Sequence, residues 1–413
     1  SANREDSVNR ADSNHKEDSA NREDSNHKED SANREDSVNR ADSNHKEDSA
    51  NREDSANRAD SISKMEIQLV KCLTGITECH GLTMKKAMNI NFHPGRDDLY
   101  FNRLFSYLKS RLPMEINQIT EIRSHVYLVE NKQLKCILKA FPTYEELKLQ
   151  QDFTSSIKKE GFEQTCSFLK FGDFPLCFEN RFLGFMEYIQ PELQSFTYLS
   201  DREREEGVEL LARFHKATEK LVPEFESILF KQDLRRKWEV RAEQFQKNIS
   251  ILHYFIPKSV TEEILEWSRI SLKGMTQSTN RQKRERQVIL HGDVAHHNFI
   301  RAKTGQLYII DFDLIAIGPV KNDLLQYANR ILPFTGWSFD SLEKMKIMGD
   351  YLTDRSFLYG LIYPSDIFRE WNRNIRAKAY YNPKRTTQLI NMTVHQFKER
   401  KLFVNKLIDI LEP

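Results

Sequence analysis

Two short apolar runs, each ending in side chains with lone-pair oxygens, constrain this chain more than any other feature. Val288-Ile289-Leu290 leads into His291-Gly292-Asp293-Val294-Ala295-His296-His297-Asn298. Residues 307–310 lead into Asp311-Phe312-Asp313. Aliphatic and β-branched runs of this length favour short buried strands. Residues that follow two neighbouring strands share an edge, so Asp293, Asn298 and Asp311 can converge on one place. The pattern H-x-D-x-x-x-x-N, followed closely by D-F-D, then supplies a carboxylate, an amide oxygen and a second carboxylate.

Phosphoryl transfer needs such a set. The protein must hold magnesium on a nucleotide, orient the attacking hydroxyl and neutralise spreading charge. Asp293 is placed to orient the hydroxyl or accept its proton, and alignment is its main contribution. Asn298 offers a neutral oxygen to magnesium, and Asp311 offers the charged oxygen that this hard cation prefers. His291 is expected to pack and hydrogen-bond beneath the loop. The adjacent His296 and His297 point in different directions and are not expected to bind metal. Asp313 has no assigned task.

The formal net charge of +1 hides −7 in residues 1–60 (10 Lys/Arg, 17 Asp/Glu) and +8 in the remainder. Near-neutrality argues against a nucleic-acid binder, for which only the loop at 281–286 and the basic C-terminal region speak. It also argues against a membrane-surface protein, while a mildly basic body suits anionic phosphates. No run approaches the ~18 apolar residues of a membrane helix, and no signal peptide opens the chain. Cys72, Cys79, Cys136, Cys166 and Cys177 are scattered without a C-x-x-C pair. They read as reduced thiols of a cytoplasmic protein.

The first 60 residues are ten hexapeptide repeats, Ser-x-Asn/His-Arg/Lys-Glu/Ala-Asp, whose only apolar residues besides alanine are Val8 and Val38. A six-residue step advances a helix by about 240°, so no apolar stripe forms. No large apolar residue recurs to build a solenoid. Residues 1–64 therefore read as a disordered tail. One expectation puts the functional start near Met65, Met84 or Met88.

Residues 65–112 read as a leader with an amphipathic helix around Leu104, Phe105 and Leu108. Residues 113–190 read as a small antiparallel sheet with one helix. Two strands flank a turn at Arg123-Ser124-His125, a third spans 133–141 and carries Lys139, and a helix covers 144–157. A hairpin of 167–178 and 182–188 turns at Glu179-Asn180-Arg181. Residues 191–413 read as mainly helical, with helices at 203–220, 231–246 and 261–272 and a polar loop at 274–286. Pro333, Pro364 and Pro383 break the helices after Asp323. Residues 369–401 carry nine Lys/Arg against two Glu, with Trp371, Tyr380 and Tyr381 interleaved. They read as a solvated basic face, or else as a wall holding an anionic substrate or the phosphates.

From about residue 113 to about 332 the chain resembles the aminoglycoside phosphotransferase / choline kinase family, which has a protein-kinase-like fold. Leu290-His-Gly-Asp-Val-Ala-His-His-Asn298 is similar to its catalytic loop. Ile309-Ile-Asp311-Phe-Asp313, Gly318-Pro319 and Asn322-Asp323 are similar to its metal-binding segment and the turn after it. The resemblance implies an α+β, two-lobed fold with a small antiparallel N-lobe sheet and a mainly helical C-lobe. It implies ATP and Mg2+ as cofactors, Asp293 as catalytic base, and Asn298 and Asp311 as metal ligands. Asp323 would brace the loop, Lys139 would contact the α- and β-phosphates, and the backbone of Met186-Glu187-Tyr188-Ile189 would read adenine. Ala212-Arg-Phe-His215 is similar to the family's helix after this hinge, where a buried histidine is usual.

Two departures from the family pattern stand out. Arg123-Ser124-His125 occupies the phosphate-covering turn, where kinases have a glycine-rich loop that this family often dispenses with, and Ser124 and His125 are its expected nucleotide contacts. The helix glutamate expected to pair with Lys139 is Glu145 or Glu146, with Glu146 favoured. The reaction implied is phosphorylation of a hydroxyl on a small molecule. The body also resembles spore coat protein S-like members, so the alternative is a kinase-like scaffold with spore-coat partners and a spore-coat location. An aminoglycoside resistance enzyme fits poorly, because residues 311–413 carry 15 Lys/Arg against 12 Asp/Glu.

Overall fold

The computed structural model describes residues 98–172, 175–278 and 285–412. The hexapeptide repeats, the expected start positions, Cys72, Cys79 and most of the basic loop at 281–286 lie outside the described residues. Helix α1 (Asp98–Arg111) forms where the apolar spacing predicts it. Strands β1 (Gln118–Arg123), β2 (Val126–Glu130) and β3 (Lys135–Phe141) follow, then helix α2 (Tyr144–Lys159). Strands β4 (Phe168–Leu169), β5 (Leu176–Phe178) and β6 (Arg181–Glu187) complete an antiparallel sheet of order β1-β2-β3-β6-β4, with β5 also on β6. The single strand expected over 167–178 is thus two short ones, with Gly172 at a φ of +89° in the break.

Alternation along β3 decides which side chains serve the site. Cys136, Leu138 and Ala140 are buried in one core with Leu104 and Leu108 of α1 and with Tyr127, Val129 and Phe185. Their neighbours Ile137 and Lys139 therefore face the opposite side, the cleft. Helix α2 starts at an N-cap, Thr143 accepting from Glu146 N at 3.2 Å, and carries acids in its first turn and lysines in its last. Its Phe153 leaves the sheet and enters the second core, edge-on to Phe214, Phe225 and Phe312 at 6.2, 5.7 and 5.0 Å.

That second core belongs to a helical lobe. It contains α3 (Asp201–Phe225), α4 (Leu234–Lys247), α5 (Lys258–Ser278), α6 (Lys321–Ile331), α7 (Arg355–Ile362), α8 (Ser365–Arg376) and α9 (Phe397–Leu411). A capping box between Ser200 and Glu203 starts α3, and Val208, Leu211, Phe214 and His215 form its buried stripe. Helix α5 runs on through Gly274 to Ser278, where sequence reading places a loop. Packing explains this: a Cβ at Gly274 would lie 2.2 Å from the Tyr359 ring, so the glycine serves close approach to α7.

Two small antiparallel pairs carry the polar segments. β7 (Gln287–Leu290) pairs with β10 (Ala316–Pro319), and β8 (Phe299–Arg301) pairs with β9 (Leu307–Ile309). β8 and β10 have no clear signature in the sequence, being three and four residues long. Among the described residues, no helix is long and apolar enough to cross a membrane.

Candidate active site

The loop after β7 is pinned from beneath. Gly292 has a φ of +78°, and a Cβ there would sit 2.1 Å from the Leu314 carbonyl oxygen, so only glycine fits. Asp323, in the first turn of α6, accepts from the backbone amides of His291 at 2.7 Å and Gly292 at 3.0 Å. His215 Nε2 lies 2.9 Å from the same carboxylate. Burial raises the Asp323 carboxyl, but His215 and His291 outweigh it and hold it below the ordinary range. Burial pushes the His291 imidazole down, which keeps the ring neutral at neutral pH. Its Nε2 is 3.0 Å from the Ile310 carbonyl and donates to it, and Nδ1 accepts from Asp293 N at 3.3 Å. Gln326, one turn beyond Asp323, accepts from Val294 N at 2.8 Å and donates to Gly292 O at 2.9 Å.

This scaffolding sets Asp293 at the loop's tip, a third exposed, with Arg330 Nη2 donating to its Oδ1 at 3.0 Å. Asn298 is buried and donates from Nδ2 to the Asp293 carbonyl at 2.8 Å. Arg330 is absent from the sequence reading. The available signal was its spacing from Asp323 and Gln326, seven and four residues back on one helix, which places all three on a common face.

Asp311 follows β9 with a φ of +73°, a left-handed conformation that a non-glycine residue adopts only when its surroundings impose it. Phe312 supplies that constraint. It is buried, stacks on Phe214 at 5.7 Å, and its carbonyl accepts from Gln150 Nε2 at 2.7 Å. Lys139 Nζ donates to Asp311 Oδ1 at 3.0 Å and to Asp313 Oδ1 at 2.5 Å. Arg123 Nη2 donates to the other Asp311 oxygen at 2.6 Å. Burial raises the Asp311 carboxyl, but Lys139 and Arg123 prevail and hold it well below the usual carboxylate range. Burial raises Asp313, and the neighbouring Asp311 charge adds to that rise. Asp313, left without a task by sequence reasoning, is thus a counter-ion of Lys139.

Two expectations are corrected here. Glu146 does not pair with Lys139: it is exposed in the first turn of α2, as is Glu145. The helix begins only three residues after β3 ends, so its cleft-facing positions come later, at Gln150 and Thr154. A neutral amide stands where a glutamate is expected, and Asp311 and Asp313 supply the negative charge. Second, Ser124 and His125 do not line the cleft. His125 takes the turn's left-handed position, with a φ of +64°, and Arg123 is the turn residue that reaches in. Glu187 and Ile189 do line the cleft, where β6 ends and the chain crosses to the helical lobe. Glu187 is tied back by Ser167 N to its Oε2 at 2.9 Å.

Two cavities meet at this loop. One, of about 740 Å³, lies between the sheet and the helical lobe. Val126, Ile137, Met186 and Ile310 give it apolar walls, and Arg123, Lys139, Asn298 and Asp311 give it a polar end. The other, of about 560 Å³, opens on the far side of Gly292 and Asp293, between α4, α6 and α8. Both volumes suit small molecules. Among the described residues, no three His, Cys, Asp or Glu side chains cluster to enclose a metal. Asn298 and Asp311 are hard oxygen donors on one wall, a pair that suits magnesium completed by phosphate oxygens and water.

Residues 115–351 match the family model of the phosphotransferase enzyme family. A search of curated proteins gives no match. Among solved structures, the chain is similar to an aminoglycoside phosphotransferase from Alicyclobacillus acidocaldarius, at 14% identity and a TM-score of 0.58 over 73% of this chain and 95% of that one. It is also similar to the AMP-bound complex of a spectinomycin phosphotransferase, at 14% identity and a TM-score of 0.50 over 76% and 99%. The GDP and kanamycin complex of APH(2")-IIia gives 15% identity and a TM-score of 0.50 over 73% and 98%. The two-lobed, kinase-like fold is therefore shared with these proteins, and the chain belongs to the phosphotransferase enzyme family.

Proposed function

We propose that this protein is an ATP- and magnesium-dependent phosphotransferase that phosphorylates a hydroxyl group of a small molecule. One observation carries the reading: Asp293 lines one small-molecule cavity, and Asn298, five residues later on the same loop, lines a second together with Asp311 and Lys139. In this reading the larger cavity takes the nucleotide. Its apolar walls hold the base beside the backbone of Glu187 and Ile189. Lys139 and Arg123 converge on Asp311, and entering phosphate oxygens compete for the same two cations. Asn298 and Asp311 hold magnesium, which when bound neutralises phosphate charge.

Asp293 then orients the acceptor hydroxyl and takes its proton. The acceptor oxygen forms a bond to the γ-phosphorus while the bond from that phosphorus to the β-phosphate oxygen breaks, leaving ADP. Asp323, His291 and Gln326 hold Asp293 still, so little reorganisation is needed as the reaction proceeds.

Thermal unfolding with millimolar Mg·ATP tests this. The expected result is a rise in Tm that survives Asp293→Ala, with turnover lost in that variant. No rise in Tm would contradict the reading and leave a kinase-like scaffold in its place.

A further inference from the structure

The second cavity is cationic. Seven Arg and Lys side chains line it, against two acids, Asp233 and Asp293. Both acids are already engaged: Asp233 caps α4 by accepting from Arg236 N at 2.8 Å, and Asp293 accepts from Arg330. Glu370 partly offsets Arg369, at 2.8 Å, and Arg373, at 3.4 Å. No salt bridge reaches Lys237, Arg241 or Arg376 among the described residues.

Helical spacing produces this wall. Lys237 and Arg241 are four apart on α4, and Arg369, Arg373 and Arg376 are four and three apart on α8. The two helices are fixed against each other by Phe245 on Phe368 at 4.5 Å and by Asn372 Nδ2 donating to Arg241 O at 2.9 Å. The base of α8 is held by a buried two-point pair, Arg400 to Asp366 at 2.8 and 2.6 Å. The cations are thus brought together by two helices packed on each other.

Crowding shows in the titration of Lys237 and Arg330. Burial pushes the Lys237 ammonium down, and Arg241 adds to it. Burial pushes the Arg330 guanidinium down, and Arg369 adds to it. Arg330 Nε is also buried without a hydrogen-bond partner. Cations held together in excess of their counter-charge favour an anionic occupant.

We propose that this cavity is the acceptor site and that the acceptor is an anionic alcohol: a small molecule bearing a hydroxyl and at least one phosphate or carboxylate group. The inference rests on the phosphotransferase reading and adds the substrate class to it. The anion docks on Lys237, Arg241, Arg373 and Arg376, and this leaves the hydroxyl to meet Asp293. Polycationic acceptors, such as the kanamycin bound by one structural neighbour, meet like charge here.

The test uses the full chain in two steps. Mg·ATP binding is measured first, by calorimetry. ATP consumption is then followed with anionic alcohols (3-phosphoglycerate, glucose 6-phosphate, gluconate, inositol monophosphate) and with cationic ones (choline, kanamycin). The expected result is turnover of an anionic alcohol only. The double variant Arg373→Glu/Arg376→Glu, altered at exposed positions, should raise the acceptor KM about 10-fold or more with the KM for ATP unchanged, as removal of acceptor binding alone does. Added salt should raise the acceptor KM of the native protein in the same direction. Intact ATP binding with turnover of choline or kanamycin overturns the inference while the phosphotransferase reading stands. Intact ATP binding with no turnover of, and no stabilisation by, any anionic alcohol also overturns it. Absent ATP binding overturns both.

Discussion

The two cavities that border the loop of Asp293 and Asn298 balance their charges in opposite ways. In the larger one Lys139 and Arg123 are matched by Asp311 and Asp313. In the smaller one seven basic residues face two acids, Asp233, which caps α4, and Asp293, which accepts from Arg330 of the same wall. A balanced site can exchange partners: phosphates take the cations, and the freed carboxylate takes a metal. An unbalanced site keeps cations in excess of its internal partners, so its selectivity is set before anything binds. On the proposed reading, nucleotide and acceptor bind on separate sides of one loop.

Breaking the balance of the larger cavity should have the largest effect. Asp311→Ala should lower Mg·ATP affinity about 100-fold or more, because it removes a charged metal ligand and leaves Arg123 without its partner. Calorimetry checks this, and an unchanged affinity would remove Asp311 from the nucleotide site. Next comes the packing that holds the D-F-D segment. Phe153→Ala should destabilise the protein by about 3–5 kcal/mol, since Phe153 is fully buried against Phe214, Phe225 and Phe312. Gln150→Ala should cost about 1–3 kcal/mol by leaving the Phe312 carbonyl unsatisfied. Glu146→Ala, at an exposed position, should stay within about 0.5 kcal/mol. Urea unfolding of the last two variants side by side decides between the position expected from sequence and the one the helix presents to the cleft.

A smaller effect depends on pH. The folded pKa of His291 is depressed, so its contribution is fully present above the unfolded value of about 6.5 and is lost as pH falls below it. Between pH 7.5 and 5.5 the unfolded chain takes up a proton that the folded loop refuses. The native protein should therefore lose stability faster across this range than His291→Asn, by at most ~1.4 kcal/mol per pH unit. Equal slopes would show that His291 is not held neutral.

The site was legible where chemistry is local in sequence. Asp293, Asn298 and Asp311 follow short strands, and Lys139 sits at a strand position that alternation turns towards the cleft. Fold class was legible for the same reason: strand alternation, helix periodicity and the loop motifs agree. What escaped depends on tertiary placement. Arg123 and Arg330 matter because of what lies across the cleft from them: the turn of Arg123 and the helix spacing of Arg330 are visible in sequence, their partners Asp311 and Asp293 are not. Gln150 lies on a helix whose register against the sheet is set by the short connection at Pro142 and Thr143. The cations of α8 belong to a run that was visible as basic, but its partners Lys237 and Arg241 lie more than a hundred residues away. β8 and β10 are too short for alternation to show.

In the proposed reaction Asp293 aligns an acceptor with the nucleotide. The most direct test is the rate of γ-phosphate transfer from saturating Mg·ATP in the native protein and in Asp293→Asn, with ATP affinity measured on both. The expected result is a loss of about 10²- to 10⁴-fold in rate with ATP affinity unchanged. Equal rates in the two proteins would contradict it.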